Sequence, residues 1–292
     1  MSPILTDDIP SGEDWVYQLK WDGYRLLARV EQGKVELYSK NMLPQNNHFP
    51  ELVLALSQLE GTFLLDGEAV VLDAETRRPS FQKLQKRNRI KGANSNGRAA
   101  HRYPVQYIIF DLLQVGEEDL RKLPFIERHE RLQIMGAAWR EPLFLTDLFD
   151  NGEVLWQWVE ANKWEGIVCK RRSSPYRAGK NHRDWYKRKT LLALDVEIVG
   201  ILMKKGQISS LVMRKDGVYR GRNSSGLNGK TKEQLGRLPA EKTMADYFTE
   251  LPEGLRGESI RWLNKPFSAE VTGAEFTDAG TLRHPKIVSL KL

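Results

Sequence analysis

The apolar positions of the first two hundred residues recur mainly with the two-residue period of β-strands. Alternation over residues 26–30 and 35–39, on either side of Gln32-Gly33, predicts a β-hairpin. Apolar, β-rich runs predict two further strands, and helical spacing predicts helices between them. The predicted strands are 63–72 and 105–115, and the predicted helices are 49–59, 124–135 and 153–164.

After about residue 192 the pattern changes to short strands separated by Gly and Asn turns. The predicted strands are 195–203, 209–214, 217–221, 259–263 and 267–272, with a helix at 231–238. Several short strands with one embedded helix suggest a small closed barrel, for which an oligonucleotide-binding (OB) fold is the first candidate. The sequence therefore predicts an α+β protein with domains at 1–191 and 192–292.

The composition is typical of a globular protein. With 292 residues the chain can bury two cores, and no apolar run approaches the length of a membrane span. The single cysteine, Cys169, excludes an internal disulfide framework and, in its apolar surroundings, is expected in the core. The five histidines lack metal-ligand spacing, which disfavours a zinc site. No secretion signal is evident, so we expect a cytoplasmic, nucleoid-associated protein without membrane contact.

The net charge of +7 is concentrated in two segments. Residues 77–102 contain nine Lys/Arg and no acid, and residues 163–189 contain ten Lys/Arg against Glu165 and Asp184. These segments alone exceed the charge of the whole chain, so the remainder is acidic. Charge runs are often solvated loops, but in the second segment the cations are interleaved with Tyr176, Trp185 and Tyr186, which favours a nucleic-acid surface.

The most informative segment is KWDGYR, which begins at Lys20. It places a lysine that can form a covalent bond next to a turn, with the guanidinium of Arg25 five residues later, as binding of a nucleotide phosphate would require. The alternative is a simple hairpin, because Asp22-Gly23 is a common turn and Val16, Gln18 and Lys20 alternate as in a half-exposed strand.

Polar residues inside the predicted strands add to the nucleotide hypothesis. Asp66 and Glu68 interrupt an apolar run, where carboxylates are costly unless they are paired or bind a metal. Asp111 and Glu165 lie at strand ends, and acids there can also simply cap turns. Lys187 and Lys189 are two residues apart, so their ammonium groups point to one side of a strand; alternating lysines can also mark a solvated face. Together these residues fit phosphoryl-type chemistry on a nucleotide.

Seven short motifs follow one another along the chain: KWDGYR from Lys20, SKN from Ser39, DGE from Asp66, YIIFD from Tyr107, EGIVCK from Glu165, WYKRK from Trp185 and LRHPK from Leu282. With this ordered set the chain resembles the ATP-dependent DNA ligases of the covalent nucleotidyltransferase superfamily, most closely the ligase module of bacterial non-homologous end-joining ligases. The resemblance covers nearly the whole chain, and the ordered set of motifs is far more specific than any single motif.

The resemblance implies a nucleotidyltransferase (ATP-grasp-like DNA ligase) domain of antiparallel sheets with flanking helices, followed by an OB-fold barrel. It also implies three steps. Lys20 attacks the α-phosphate of ATP and releases pyrophosphate; AMP then passes to the 5′-phosphate of a DNA nick; and the 3′-hydroxyl finally displaces AMP.

Roles for individual residues are implied in the same way. Leu19, Arg25, Glu68 and Phe110 would bind the nucleoside, with Arg25 and Glu68 on the ribose and Phe110 stacked on adenine. Glu68 and Glu165 would bind Mg²⁺ or Mn²⁺, and Lys187 and Lys189 the α-phosphate. Ser39 and Lys40 would meet the nick 5′-phosphate, and Arg171 and Arg172 the DNA. Arg283 and Lys286 would close over the pyrophosphate and swing away when DNA binds.

Three departures from the family pattern limit what can be transferred. Lys40 stands where the family usually has Arg, which replaces a bidentate phosphate fork with a point charge. The chain ends soon after Lys286, and only nineteen residues precede Lys20, so no separate N-terminal DNA-binding domain is expected.

Other functions remain open from the sequence. A messenger-RNA capping guanylyltransferase or an RNA ligase shares the lysine motif, whereas a non-catalytic DNA-binding protein would explain only the basic segments. We expect a monomer that acts on nicked or broken duplex DNA, with a Ku-type end-binding protein as a candidate partner. Nick sealing and double-strand-break repair, and Mg²⁺ and Mn²⁺, are not distinguished by the sequence.

Overall fold

The computed structural model describes residues 1–89, 95–179 and 182–292, and the chain divides into two units, Met1–Thr190 and Leu191–Leu292. The first unit contains two sheets flanked by helices, and the second contains one sheet. No helix in the described ranges is both long enough and apolar enough to cross a membrane. The basic segment 77–102 lies partly outside the described residues, so only its described part is discussed below.

A six-stranded sheet forms the larger half of the first unit, and its neighbouring strands are antiparallel except for one short parallel addition. The apolar sides of these strands pack against helices and bury Leu26, Leu37, Leu65 and Ile109 completely. In spatial order the strands are Lys34–Ser39, Tyr24–Glu31, Thr62–Val71, Val105–Val115 and Glu118–Asp119, with Leu143–Leu145 parallel to Val105–Val115. The helices of this part of the chain are Pro50–Ser57, Phe81–Asn88, Ser95–Arg102, Leu120–Lys122 (3-10) and Phe125–Gly136.

A four-stranded sheet forms the other half. Its spatial order is Ile4–Leu5, Trp185–Lys189, Gly166–Arg171 and Trp15–Leu19, with only the first pair parallel. The helix Gly152–Ala161 covers one face of this sheet with Leu155, Trp156 and Val159. Cys169 is fully buried in that cluster, which confirms the prediction of a core cysteine.

The hairpin alternative for Asp22-Gly23 is wrong. The strand before the turn, Trp15–Leu19, pairs in the four-stranded sheet, whereas the strand after it, Tyr24–Glu31, pairs in the six-stranded sheet. Gly23 is needed where the chain crosses, because a Cβ atom at this position would lie 2.2 Å from the carbonyl oxygen of Ala69. Lys20 therefore lies at the point where the chain passes from one sheet to the other.

The second unit has five strands in the spatial order 3-2-1-4-5, counted along the chain within the unit. Backbone hydrogen bonds from Leu282 N to Arg220 O (2.9 Å) and from Ile287 N to Ser225 O (3.1 Å) connect the segments that carry the two outer strands. The strands are Leu192–Lys204, Gln207–Lys215, Val218–Asn223, Ser259–Gly273 and Lys286–Lys291, and the helices are Gly229–Gly236 and the 3-10 turns Met244–Asp246 and Glu253–Leu255.

The predicted strands and helices of the first unit are confirmed with shifts of a few residues, and the hairpin does turn at Gln32-Gly33, both in the left-handed region. In the second unit the strands predicted at 259–263 and 267–272 are one strand, Ser259–Gly273. Its pairing shifts register between Trp262 and Phe267, at Pro266, which has no N–H to donate. The helix Phe81–Asn88 and the last strand, Lys286–Lys291, were not predicted.

Candidate active site

A cavity of about 640 Å³ opens in the first unit and is lined by residues of both sheets. Six of the predicted nucleotide-binding residues line it, together with Ser39 and Lys40 at its rim. The six are Leu19, Lys20, Arg25, Glu68, Phe110 and Lys187. These residues come from several separate sequence motifs, and the fold brings them to one cavity.

Lys20 and Lys189 both bind the carboxylate of Glu165. Lys20 Nζ lies 2.5 Å from Oε2, and Lys189 Nζ lies 2.7 Å from Oε1. The strand after Glu165 starts at Gly166 (φ 151°), where a Cβ atom would lie 2.0 Å from the carbonyl oxygen of Arg188. Only glycine allows this close pairing, which sets Glu165 opposite the nucleophile candidate. Burial acts to raise the pKa of the Glu165 carboxyl, but the charges and hydrogen bonds of the two lysines together hold it below its ordinary value.

Arg25 is held from behind by the fully buried Asp66. Its Nε donates to Oδ1 at 2.9 Å and its Nη2 to Oδ2 at 2.5 Å, and the hydroxyl of Tyr176 donates to the same Oδ2 at 2.7 Å. The guanidinium carbon lies 5.4 Å from the centre of the half-buried Phe110 ring. The fold thus joins the predicted ribose and adenine ligands in one contact.

Asp66 and Asp111 are buried acids whose oxygens are bound by arginines. Asp111 forms a bidentate pair with Arg128 at 2.8 and 2.9 Å, and both side chains are completely buried. The free-energy cost of removing two charges from water is offset only when their hydrogen bonding is this complete. Asp66 and Asp111 are thus paired with arginines, whereas Glu165 is paired with two lysines that also belong to the predicted site.

Lys170 shows that part of the second basic segment is interior. Its side chain is 2 % exposed, and its ammonium lies 4.7, 4.3 and 4.1 Å from the ring centres of Phe110, Phe125 and Trp185. Its Nζ also donates to the carbonyl oxygen of Phe110 at 3.3 Å. Burial lowers the pKa of Lys170 to about 7. Trp185, interpreted from sequence as part of a nucleic-acid surface, is 1 % exposed and belongs to the core.

Two lining residues have unusual polar environments. Burial raises the pKa of Glu68 to about 8. Gln18 is 2 % exposed, and its Nε2 has no hydrogen-bond partner among the described residues. Sequence analysis did not assign Gln18 a role; the available signal was its position two residues before Lys20, on the same side of the strand.

Ser39 and Lys40 lie at the rim of the cavity with Asn41, Leu43 and Gln45. Lys40 is exposed, and Ser39 Oγ accepts a hydrogen bond from Leu43 N at 3.2 Å. The rim is therefore built by the turn that follows strand Lys34–Ser39, with the charge of Lys40 open to solvent.

Arg171 and Arg172 lie away from this cavity. Because side chains alternate along the strand, Lys170 faces the cavity while Arg171 stacks on Trp15, 4.7 Å from its ring. Arg171 also lies 3.5 Å from Asp14 and 3.7 Å from Asp184, and Arg172 lies 2.5 Å from Asp150. Both side chains keep about a third of their surface exposed at 36 %, so these are surface ion pairs.

Arg283 and Lys286 belong to the second unit. Arg283 Nη1 lies 2.7 Å from Glu275 Oε1, and Lys286 begins the last strand. The motif that contains them is therefore ordered by pairing within its own unit.

Comparison with known proteins identifies the family. The profile of the ATP-dependent DNA ligase domain matches residues 7–189. The chain is 32 % identical over 96 % of its length to the multifunctional non-homologous end joining protein LigD of Pseudomonas aeruginosa. It is 28 % identical over its full length to the bifunctional LigD of Bacillus subtilis. The chain spans 34 % and 52 % of these two proteins, respectively.

Solved structures agree with the sequence comparison. The ligase domain of Mycobacterium tuberculosis LigD aligns with a TM-score of 0.58 and 28 % identity, covering 99 % of this chain and 94 % of that domain. A mycobacterial DNA ligase D complexed with ATP and MES aligns with a TM-score of 0.55 and 27 % identity, over 99 % of this chain and 94 % of that one. From the match over residues 7–189 and the relative at 32 % identity, the chain belongs to the family of ATP-dependent DNA ligases.

Proposed function

We propose that this chain seals breaks between a 3′-hydroxyl and a 5′-phosphate in duplex DNA through a lysine-AMP intermediate, in bacterial DNA repair by end joining. The observation that carries the proposal is the convergence of Lys20, Glu165 and Lys189 beside a cavity that contains Arg25 and Phe110. A reactive amine, a carboxylate and phosphate-binding cations are together what nucleotidyl transfer to lysine requires.

In the first step Lys20 Nζ gives up a proton to solvent and then attacks the α-phosphorus of ATP. An N–P bond forms, the bond to the bridging oxygen breaks, and pyrophosphate leaves with the electron pair. Glu165 accepts hydrogen bonds from both ammonium groups, so it holds Lys20 in place before the nucleotide arrives. Lys187 lines the cavity and Lys189 lies beside Glu165, so both are suited to bind the α-phosphate.

The nucleoside would occupy the part of the cavity between Phe110 and Gln18. Phe110 offers a ring for stacking, and Leu19 contributes apolar lining. Gln18 provides a buried amide whose Nε2 hydrogens have no protein acceptor in the described structure, so an acceptor on the base would satisfy them. Arg25 and Glu68 would contact the ribose.

The carboxylates fit a divalent cation, Mg²⁺ or Mn²⁺. Within the described residues no arginine pairs with Glu68 or Glu165, in contrast to Asp66 and Asp111. The described residues contain no cluster of three or more His, Cys, Asp or Glu. Two carboxylates together with substrate phosphates and water suit Mg²⁺, which seldom takes a complete set of protein ligands. When bound, the metal would neutralise charge on the phosphates.

Ser39 and Lys40 would bind the 5′-phosphate of the nick, since Lys40 is exposed at the rim next to the cavity of Lys20. Arg171 and Arg172 would contact more distant phosphates. Their ion pairs with Asp14 and Asp150 are exposed, and the pair of Arg171 with the less exposed Asp184 is long at 3.7 Å, so a phosphate can compete with these pairs.

For the second unit we propose an OB fold, with domains at 1–191 and 192–292. The strand order 3-2-1-4-5, the helix between strands three and four, and the hydrogen bonds that connect the outer segments all fit a closed five-stranded barrel. A pyrophosphate-binding role for Arg283 and Lys286 rests on their motif alone. Recruitment by a Ku-type protein, a monomeric state and a cytoplasmic, nucleoid-associated location also belong to the proposal.

The test is incubation with α-labelled ATP and Mg²⁺ or Mn²⁺, followed by denaturing electrophoresis and by sealing of a nicked duplex. Wild type should become labelled and should seal the nick, whereas Lys20→Ala and Lys20→Arg should do neither. Preferential labelling from GTP would instead indicate a capping guanylyltransferase, and sealing of RNA but not DNA would indicate an RNA ligase. Absence of any adduct from wild type would overturn the proposal.

A further inference from the structure

The hydroxyl of Tyr176 completes a half-buried triangle of hydrogen bonds behind the proposed ribose site. It donates to Asp66 Oδ2 at 2.7 Å and accepts from Arg25 Nη2 at 3.2 Å. The same Asp66 oxygen accepts from Arg25 Nη2 at 2.5 Å. The Tyr176 hydroxyl, Asp66 Oδ2 and Arg25 Nη2 therefore form mutual hydrogen bonds, although the three residues are distant in sequence. The sequence analysis gave Tyr176 no part in this site.

The ring of Tyr176 is held in place independently of its hydroxyl. Its backbone N donates to Arg121 O at 2.8 Å, and its ring packs edge-on against Trp185 with centres 5.9 Å apart. Nearby, Ser174 O accepts from Arg128 Nη1 at 3.0 Å, and Ser174 Oγ accepts from Trp185 Nε1 at 3.1 Å. Loss of the hydroxyl alone should therefore leave this segment where it is.

The hydroxyl contacts both groups that set the plane of the Arg25 guanidinium. Arg25 uses Nε and Nη2 on Asp66, and the described residues give its Nη1 no hydrogen-bond partner. The guanidinium is planar, so the rotation of the Asp66 carboxylate determines where Nη1 points. Tyr176 restrains that rotation through Oδ2, and it holds Nη2 directly.

We propose that Tyr176 is a positioning residue that directs Arg25 toward the ribose of ATP and thereby favours ATP over 2′-deoxy-ATP. This inference rests on the proposed function, because it takes the cavity to be the ATP site. Tyr176 touches neither the base nor the phosphates in this scheme; it acts only through Arg25 and Asp66.

The experiment compares Tyr176→Phe with Tyr17→Phe. Tyr17 also carries a donor hydroxyl in the first unit, bonded to Pro10 O at 2.6 Å, but it packs in the cluster under helix Gly152–Ala161 and does not line the cavity. Rates of adduct formation are measured over a range of ATP and 2′-deoxy-ATP concentrations. Sealing of a nick that already carries AMP on its 5′-phosphate is measured in parallel.

For Tyr176→Phe we expect KM for ATP to rise about tenfold with little change in the maximal rate, the scale of one misdirected hydrogen bond to a charged group. KM for 2′-deoxy-ATP should rise less than KM for ATP, so the preference for ATP should fall. Sealing of the pre-adenylated nick should stay at the wild-type rate. Tyr17→Phe should keep wild-type values throughout.

An unchanged KM and an unchanged ATP preference in Tyr176→Phe would overturn the inference. An equal loss with both nucleotides, accompanied by a lower melting temperature, would also overturn it, because Tyr176 would then be only structural. Failure of wild type to form any adduct would instead overturn the proposed function, so the two failures are distinguishable.

Discussion

Lys20 Nζ lies 2.5 Å from Glu165 Oε2, although 145 residues separate the two in the sequence. The carboxylate reaches the amine because Gly166 allows its strand to pair closely with Trp185–Lys189. Since Lys189 binds the other oxygen of Glu165, one acid organises both a nucleophile candidate and a phosphate-binding candidate.

Replacing Glu165 with Gln should abolish most adduct formation. The substitution keeps the shape but removes the charge that holds the two ammonium groups and that would bind the metal. We expect a fall of about 100-fold or more in the rate of Lys20 adenylation, the scale typical of losing a metal-binding or positioning group. The rate is measured with labelled ATP as a function of Mg²⁺ concentration.

Glu153→Gln is the matched control for that measurement, because Glu153 is an exposed carboxylate of the same unit outside the cavity. Its adenylation rate should equal that of wild type. Undiminished adenylation in Glu165→Gln would remove the proposed role of this acid.

Replacing Gln18 with Leu should weaken ATP binding without weakening the fold. Among the described residues Gln18 Nε2 is buried without a hydrogen-bond partner, which costs about 1–3 kcal/mol. An apolar side chain of similar size relieves that cost, so the melting temperature should stay equal or rise. KM for ATP should rise about tenfold if the amide is satisfied only by the base. A lower melting temperature with unchanged KM would show that Gln18 is structural.

Sequence reasoning located the cavity because its motifs carry chemistry in a fixed order. Arg25, Glu68 and Phe110 come from three separate strands and Lys20 from the crossing between the sheets, and the fold brings all four to one cavity. Local patterns also predicted the helix after Phe49 and the turn at Gln32-Gly33, because Pro and Gly restrict the backbone locally.

The remaining features depend on partners distant in sequence, which local patterns do not specify. Asp111 resembles a candidate metal ligand until Arg128, on a following helix, is seen to bind both of its oxygens. Lys170 counts as surface charge in a sequence, yet three aromatic rings enclose it. Asp22-Gly23 has the residues of a hairpin turn, and only the pairing of the flanking strands shows that it connects two sheets.

The burial of Lys170 should make stability depend on pH. Its pKa is lowered from 10.5 in the unfolded chain to about 7 in the folded protein, mainly by burial. The charges of Asp111 and Asp66 partly oppose this lowering, whereas those of Arg128 and Arg25 add to it. Between these two values the unfolded chain binds more protons, so stability should rise with pH from about 7 to 10.5.

Lys170→Met should remove that rise, since methionine fills the aromatic cage without a charge to desolvate. The free energy of unfolding of Lys170→Met, relative to that of wild type, should fall by about 3–5 kcal/mol as the pH increases from about 7 to 10.5. Urea unfolding at a series of pH values measures it, with the exposed Lys163→Met as control. Parallel pH profiles for wild type and Lys170→Met would contradict a lowered pKa for the buried lysine.

Salt dependence should separate the two sets of proposed DNA contacts from the nucleotide site. Each lysine or arginine that neutralises a DNA phosphate releases counterions, so losing one contact lowers the slope of log affinity against log salt by about one. Lys40→Ala should therefore weaken nick sealing and reduce the slope, while AMP transfer to Lys20 continues.

The double reversal Arg171→Glu with Arg172→Glu should do the same to a larger extent, because two cations become two anions. Arg131→Glu is the control, since Arg131 also forms an exposed pair, with Glu118, in the same unit. An unchanged salt slope in the double reversal would mean that Arg171 and Arg172 do not contact DNA. Equal losses of adenylation and sealing would mean that their charges serve the fold or the nucleotide site instead of DNA.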